Sequence, residues 1–486
     1  MSKLIIPNLP SYYRLDDIPS FDTWTQRSLV VEITTGQNTN LNRPSAIRFE
    51  YKGEDYARLG SPRSGFRVRA NLTTMAGNPL ANARTAQITL ASNWFFHLFS
   101  KIELKAGSET LEMMDKPGEC IDIMCHLKGL DFRQRSGEDI GFIPDEGPAT
   151  ATANLAVAAH TNIVNPGADT AADIGTTANA AATAAIAAVR TALAGNYNHG
   201  YRRRFDKYNY DVAGNDDPRE IELFIPNSIL FSYCDTYDMV TKFMPFTVEL
   251  TRRDATDVNN AIFGAAANTS MTIELQELTW IVDTYEPKPE LALTLDKRFE
   301  KGPLSVNYLH RYISSVTSDQ QVVRISETQF SQPRYIFITC KGTTGAASQI
   351  GPDRNYSLCR NCDIKEIQVS LDSKWYPDKS YNAEFSKNYF SHFYDAYASI
   401  CETFSGSCGI TPKEFKELYT IFCIDLNDQK DKLQNSATNM SIVITRRARP
   451  VNDNDPNNPL NVEYFYMVLD EAHYAMDCVK KTCIKV

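Results

Sequence analysis

The sequence predicts an all-β protein made of two antiparallel β-sandwiches side by side. Three observations carry this. Short runs of alternating apolar and polar residues recur along the chain, helical patterns are few, and one phrase occurs twice: Phe246 to Arg253 reads FTVELTRR and Met440 to Arg447 reads MSIVITRR. After a polar gap each copy is followed by another strand-like run, TIELQELTWIVDTY (Thr272 to Tyr285) and VEYFYMVLDEAHYAMD (Val462 to Asp477). The same phrase in the same order near the end of each half predicts two copies of one β-domain. Closing each copy into a sandwich limits the unpaired edges that such a strand-rich chain exposes. A protein built this way reads as an assembly unit rather than an enzyme.

Residues 1–27 read as an extended arm, polar with scattered aromatics and with Pro7, Pro10 and Pro19. Strand signals follow at Leu29 to Thr35, Ile47 to Tyr51, Phe66 to Thr73 and Gln87 to Leu90, and again at Lys101 to Lys105 before a turn at Gly107. Residues 147–197 break the pattern, being rich in Ala, Thr, Asn and Gly. They read as a long loop insertion. Ala180 to Ala194 can form one helix, with Asn179 as N-cap and Gly195 as its stop. The insertion is either a flexible surface loop or an ordered tower packed on a neighbouring subunit. Strands resume at Glu220 to Ile225, and Glu286 to Glu290 (EPKPE) is a Pro-rich candidate linker. In the second half Gln321 to Ser326, Arg334 to Cys340 and Asp363 to Leu371 read as strands. Ala383 to Phe404 reads as a helix with Phe385, Tyr389, Phe393, Tyr397 and Ile400 on one face, a stripe expected to pack into the core. Thr411 and Pro412 open a second short helix as N-cap and N1.

At 486 residues the chain is long enough for two or three domains. A hydrophobic content of 43% with 11% aromatics suits a folded, β-rich protein rather than a disordered one. The net charge of −9 argues against a dominant polycationic surface, so no specific nucleic-acid recognition is expected. The N-terminus lacks the apolar core of a signal peptide, and no run approaches the ~18 apolar residues of a membrane span, so synthesis in the cytosol is expected. The sequons at Asn71, Asn268, Asn355 and Asn439 then read as chance matches, and the 11 scattered cysteines as free, buried thiols.

Catalytic and metal chemistry find little support. Cys359 and Cys362 form one CxxC, but zinc needs about four ligands and the next pair, Cys401 and Cys408, is loosely spaced, so free thiols are favoured over a zinc site. Cys478 and Cys483 can pair near the C-terminus if the protein matures in an oxidising setting. Gly406-Ser407-Cys408-Gly409 resembles a nucleophile turn without a partner motif, and Gly342, Gly345 and Gly351 are loop glycines rather than a phosphate cradle. No HExxH, Walker A or GxSxG occurs. No catalytic, metal or cofactor-binding residues are therefore assigned. Three basic clusters, Arg202-Arg203-Arg204, Arg252-Arg253 and Arg446-Arg447-Arg449, read as strand-end ion pairs at subunit borders or a solvated rim, with genome contact the alternative.

Several segments, in order, resemble the double jelly-roll major capsid proteins of eukaryotic double-stranded DNA viruses, in the group of Polinton or Maverick elements, adintoviruses and virophages. They are Asn93 to Gly107, Tyr233 to Phe263, Glu277 to Trp280, Pro333 to Ile338, Asp363 to Pro377, Tyr419 to Asp428 and Tyr474 to Val486. The resemblance leaves out the arm and the 147–197 insertion, and cysteine is unusually abundant for it.

It implies two tandem eight-stranded jelly rolls, residues 28–286 and 287–486, with short helices. It further implies a homotrimeric, pseudo-hexameric capsomer tiling an icosahedral shell, with penton and minor or cement proteins as neighbours and the virion as location. Assembly would follow in the nucleus or a viral factory, and contact with an internal membrane is left open. The arm would tie capsomers together, so deleting residues 1–20 is expected to spare trimers and impair shells. The competing expectations are a tandem β-sandwich glycan-binding or virion attachment protein, and a jelly-roll carbohydrate-active enzyme. The latter needs paired carboxylates in one cleft, and no such pair can be nominated.

Overall fold

The computed structural model describes residues 25–35, 40–74, 89–146, 199–208, 220–254, 261–263, 271–343, 356–372, 374–427, 438–447 and 459–485. Within them, two-residue periodicity decides which face each strand buries. Ala46–Tyr51 sends Ile47, Phe49 and Tyr51 inward, and Met440–Arg446 sends Met440, Ile442 and Ile444 inward.

The first half contains β1 (Thr25–Thr34), β2 (Ala46–Tyr51), β3 (Tyr56–Arg58), β4 (Gly65–Thr74), β5 (Thr89–Leu90), β6 (Phe99–Ala106), β7 (Glu109–Asp115), β8 (Glu220–Pro226), β9 (Phe246–Arg252), β10 (Ile262–Phe263) and β11 (Met271–Pro287). They pair as two main sheets, β1-β11-β4-β8 and β2-β9-β6-β7, with β3 added to β11 and a small β5–β10 ribbon. The second half contains β12 (Leu304–Ser318), β13 (Val322–Glu327), β14 (Pro333–Gly342), β15 (Ile364–Leu371), β16 (Lys374–Tyr376), β17 (Phe422–Asp425), β18 (Met440–Arg446), β19 (Val462–Asp477) and β20 (Thr482–Lys485). Its sheets run β12-β19-β14-β17 and β13-β18-β15-β16, with β20 added to β19.

The two plans coincide strand for strand. With β3, β5, β10 and β20 left out, the first strand of each half lies beside the last, and the second beside the last but one. The sheet pairs are antiparallel throughout. Setting aside β3, β5, β10 and β20, each half has eight strands in two four-stranded sheets, the jelly-roll arrangement. The doubled phrase falls on β9 and β18, which hold the same place in the two rolls. The runs that follow it are β11 and β19, again equivalent.

Several elements differ from the sequence reading. The candidate linker does not stay irregular: β11 runs to Pro287, and Pro289–Glu300 is a helix with Pro289 at its first turn. β7, β12 and the helix Pro117–Leu127 add to the expected elements. The expected helix from Ala383 starts later, at Ser391, and runs to Ser405. Phe393, Tyr397 and Ile400 line its buried face, but Tyr389 lies before it and is 65% exposed, so it leaves the core stripe. Pro412–Glu417 is capped as expected: the Thr411 hydroxyl accepts from the Glu414 amide, and the Glu414 carboxylate accepts from the Thr411 amide. The insertion, its candidate helix from Ala180, and the arm before Thr25 lie outside the described residues.

Candidate assembly site: the seam between the two rolls

The helix Pro117–Leu127 joins the rolls. Pro117 and Glu119 suit a helix start, and Cys120, Ile121, Ile123, Met124 and Leu127 supply apolar faces. All of its residues are buried, because it is covered from both sides. On one side are Trp94–His97 and β6; on the other are β19, through Cys120 and Met467 (3.5 Å), and the helix Ser391–Ser405. A Cβ on Gly118 would stand 2.0 Å from His97 Nδ1, so glycine lets the helix close on that ring.

Polar side chains cross the seam in both directions. From the second roll, Arg311 on β12 donates to the Ile229 carbonyl (2.8 Å), and its guanidinium lies 4.0 Å from Glu112 on β7. The Tyr308 hydroxyl donates to the Leu111 carbonyl (2.6 Å), Tyr397 to that of His126 (2.9 Å), and Tyr356 to the Glu119 carboxylate. From the first roll, Lys116 reaches Glu463 (2.6 Å) and Ser315. Arg133 donates to the Gly409 carbonyl (2.8 Å) and pairs with Glu414 (3.1 Å) and Glu146 (3.3 Å). The Asp145 amide donates to the Tyr419 hydroxyl (2.5 Å).

Burial and neighbours set opposite charge preferences along this seam. Burial pushes the Glu112 carboxyl up to about 7, against the pull of Arg311 and the Tyr233 amide. Burial also raises Glu119, but Arg253, His97 and Lys341 outweigh it and bring that carboxyl down to about 2. His126 is brought down to about 3 by burial, with Arg133 adding to it; its ring lies 4.2 Å from that of Tyr419. These groups are engaged across the seam and act as its fastening, not as a reaction centre.

The residues singled out in the sequence fall as follows. All 11 cysteines are free thiols. Cys359 and Cys362 are buried, and burial pushes the Cys359 thiol up to about 12. The Cys408 thiol, beside Cys401 and donating to the Ile410 carbonyl (3.2 Å), is held below its ordinary range by these neighbours. Cys478 and Cys483 lie at the β19–β20 hairpin, where Met476, not Cys478, stands opposite Cys483. Among the described residues no group of three or more His, Cys, Asp or Glu side chains is placed to hold a metal ion. The Gly406–Gly409 turn belongs to the seam: Gly406 ends the helix at φ 71°, and Gly409 packs against Gly129. Gly342 ends β14; Gly345 and Gly351 lie outside the described residues.

The basic clusters need correcting. Arg252 and Arg446 are buried and donate to main-chain carbonyls of their own chain: Arg252 to Ile273 (2.9 Å), and Arg446 to Cys362 (3.2 Å) and Pro459. Arg204 is also buried, paired with Asp145 (2.7 Å). They form no solvated rim. Arg253 donates to the Phe99 carbonyl (2.9 Å), and Arg447 pairs with Asp363 (3.6 Å) and Glu384 (3.2 Å). Arg449 lies outside the described residues.

Sequence reasoning missed Lys116, Glu119, Arg133, Arg311 and Tyr356. A signal was present for the helix that carries Glu119: Pro117 at its first position, then apolar residues at spacings of three and four. Nothing local marks the partners.

Two jelly rolls fused in one chain, with equivalent sheets and a shared buried seam, define a double jelly-roll protein. The double jelly roll-like domain family matches residues 171–453, more than half of the chain, and the chain belongs to that family. The family is structural rather than enzymatic. Among curated protein sequences none matches. Among solved structures, a chain of the Sputnik virophage aligns over 99% of this chain and 92% of its own, with 10% identity and a TM-score of 0.54. The VP54 protein of PBCV-1 aligns over 95% of this chain and 97% of its own, with 9% identity and a TM-score of 0.50. The mavirus major capsid protein aligns over 99% of this chain and 95% of its own, with 11% identity and a TM-score of 0.49.

Proposed function

We propose that the protein is the major capsid protein of a double-stranded DNA virus and assembles as a homotrimeric, pseudo-hexameric capsomer. The observation that carries this reading is the duplication itself: two topologically equivalent rolls held side by side by a buried seam let three chains present six similar units. The rolls divide at residues 286/287, and no residue has a catalytic or cofactor role. Exposed apolar side chains such as Val322 and Trp375 on the β13-β18-β15-β16 sheet suit burial between copies. The capsomers would tile an icosahedral shell in the virion, with penton and minor capsid proteins as neighbours. The chain would be made in the host cytoplasm and assembled in the nucleus or a viral factory. Mass measurement in solution followed by negative-stain imaging tests the reading. A stable trimer of hexagonal outline is expected. A monomer with saturable glycan binding would replace it with the attachment-protein reading.

A further inference from the structure

A groove of about 900 Å³ opens where β11 ends, the Pro289–Glu300 helix begins its course, and β12 starts. Its lining is mainly apolar and aromatic, including Tyr237, Met239, Leu291, Leu295 and Leu304, with Arg58 and Arg298 as its basic groups. Met239 is 66% exposed. Arg58 is already paired with Asp238 (2.6 Å). Arg298 is exposed, and among the described residues no carboxylate lies within ion-pair distance of it. The groove thus offers a greasy floor and one uncommitted cation, which suits an extended segment carrying both apolar and acidic side chains.

The chain owns such a segment, and it starts at the groove's rim. β1 pairs with β11 so that Thr25 stands opposite Pro287, a lining residue. The 24 residues before Thr25 are therefore tethered at a point beside the groove. The last nine, Asp16 to Trp24, read DDIPSFDTW: Ile18, Phe21 and Trp24 recur at every third position, with Asp16, Asp17 and Asp22 beside them. Extended, nine residues span about 30 Å, so every part of the groove is within reach. Tethering at Thr25 also gives the segment an effective concentration on the order of millimolar, which a free partner must overcome.

We infer that the groove is the seat of the chain's own N-terminal segment, with Ile18, Phe21 and Trp24 on its apolar floor and an aspartate against Arg298. This inference does not rest on the shell-building role, since it concerns a contact within one chain.

Photo-crosslinking on the full-length protein tests it. Benzoylphenylalanine is placed at Met239, light and heavy isotope-labelled chains are mixed in denaturant and refolded together so that any oligomer carries both labels, and the irradiated sample is digested with trypsin. The expected product joins the peptide containing residue 239 to residues 15–27, with both halves carrying the same label, and Arg298→Glu lowers its yield at least fivefold. Light–heavy products would assign the groove to a neighbouring copy and overturn the proposal. Absence of the residue 15–27 product, or a yield indifferent to Arg298→Glu, also overturns it. Each outcome is read from the soluble chain whether or not trimers form, so failure here is distinct from failure of the capsomer reading.

Discussion

At the scale of single residues, the Thr-Arg-Arg phrase has a physical reason for its repetition. Arg252 and Arg446 sit at the same place in the two rolls, at the end of the strand before the last, and each donates to a main-chain carbonyl of a neighbouring segment, Ile273 and Cys362. Arg252→Ala and Arg446→Ala should each cost about 2–4 kcal/mol, the sum of unpaired carbonyls and lost packing, measured by chemical denaturation. A rim arginine would change stability by about 0.5 kcal/mol or less. Glu112 makes a second residue-scale case. Its folded carboxyl sits at about 7, above its ordinary value of 4.5, so the folded state holds a proton that the unfolded chain releases. Its contribution is then fully present below about pH 4.5, falls as pH rises through that window, and is gone above about 7. Glu112→Gln keeps the hydrogen-bonding shape without the ionisation. Relative to wild type it should gain roughly 3 kcal/mol at pH 8 and little at pH 4.5. A difference that stays constant with pH would contradict this.

At the scale of elements, local signals act where local physics decides. The N-cap at Thr411 and Pro412 at the first helical position were legible because the signal lies within adjacent residues, and Thr411→Ala should cost about 1 kcal/mol in thermal or chemical unfolding. The strands of the doubled phrase were legible because one buried face imposes a two-residue period. β12 was not read as a strand because Leu309-His310-Arg311 interrupts its alternation, and the cause of that interruption is remote: Arg311 turns toward carbonyls of Ile229 and Leu230 in the other roll. β19 is buried along most of its length because one face meets its own sandwich and the other meets the helix Pro117–Leu127. Tyr389 matched the helical spacing yet stands exposed, since the helix begins two residues later. The seam was illegible for the same reason throughout. Its pairs, such as Lys116 with Glu463 and Glu119 with Tyr356, are separated by hundreds of residues and share no local pattern.

At the scale of the whole molecule, the seam decides whether two rolls behave as one body. A pseudo-hexagonal unit needs a fixed angle between the rolls, because three chains close a ring only if each presents its two faces in a constant relation. Apolar contact alone permits sliding, whereas crossing hydrogen bonds with buried donors allow one register. Arg133 is the most exacting of these. It leaves the first roll, is buried, and holds both the Gly409 carbonyl and the Glu414 carboxylate of the second. Removing it takes the donor from the buried Gly409 carbonyl and breaks a half-buried ion pair with Glu414, a loss of about 2–3 kcal/mol. That cost falls on the junction rather than on either sandwich, whose sheets keep every ladder bond. The wild-type protein should therefore unfold in one calorimetric transition, and Arg133→Ala in two, with the rolls melting separately. Met467, which packs on Cys120 across the same seam, gives a comparison: Met467→Leu conserves volume, should cost less than about 1.5 kcal/mol, and should leave a single transition. If Arg133→Ala also melts in one transition at the wild-type temperature, the rolls are coupled by apolar burial alone, and the polar crossings are not what makes them one body.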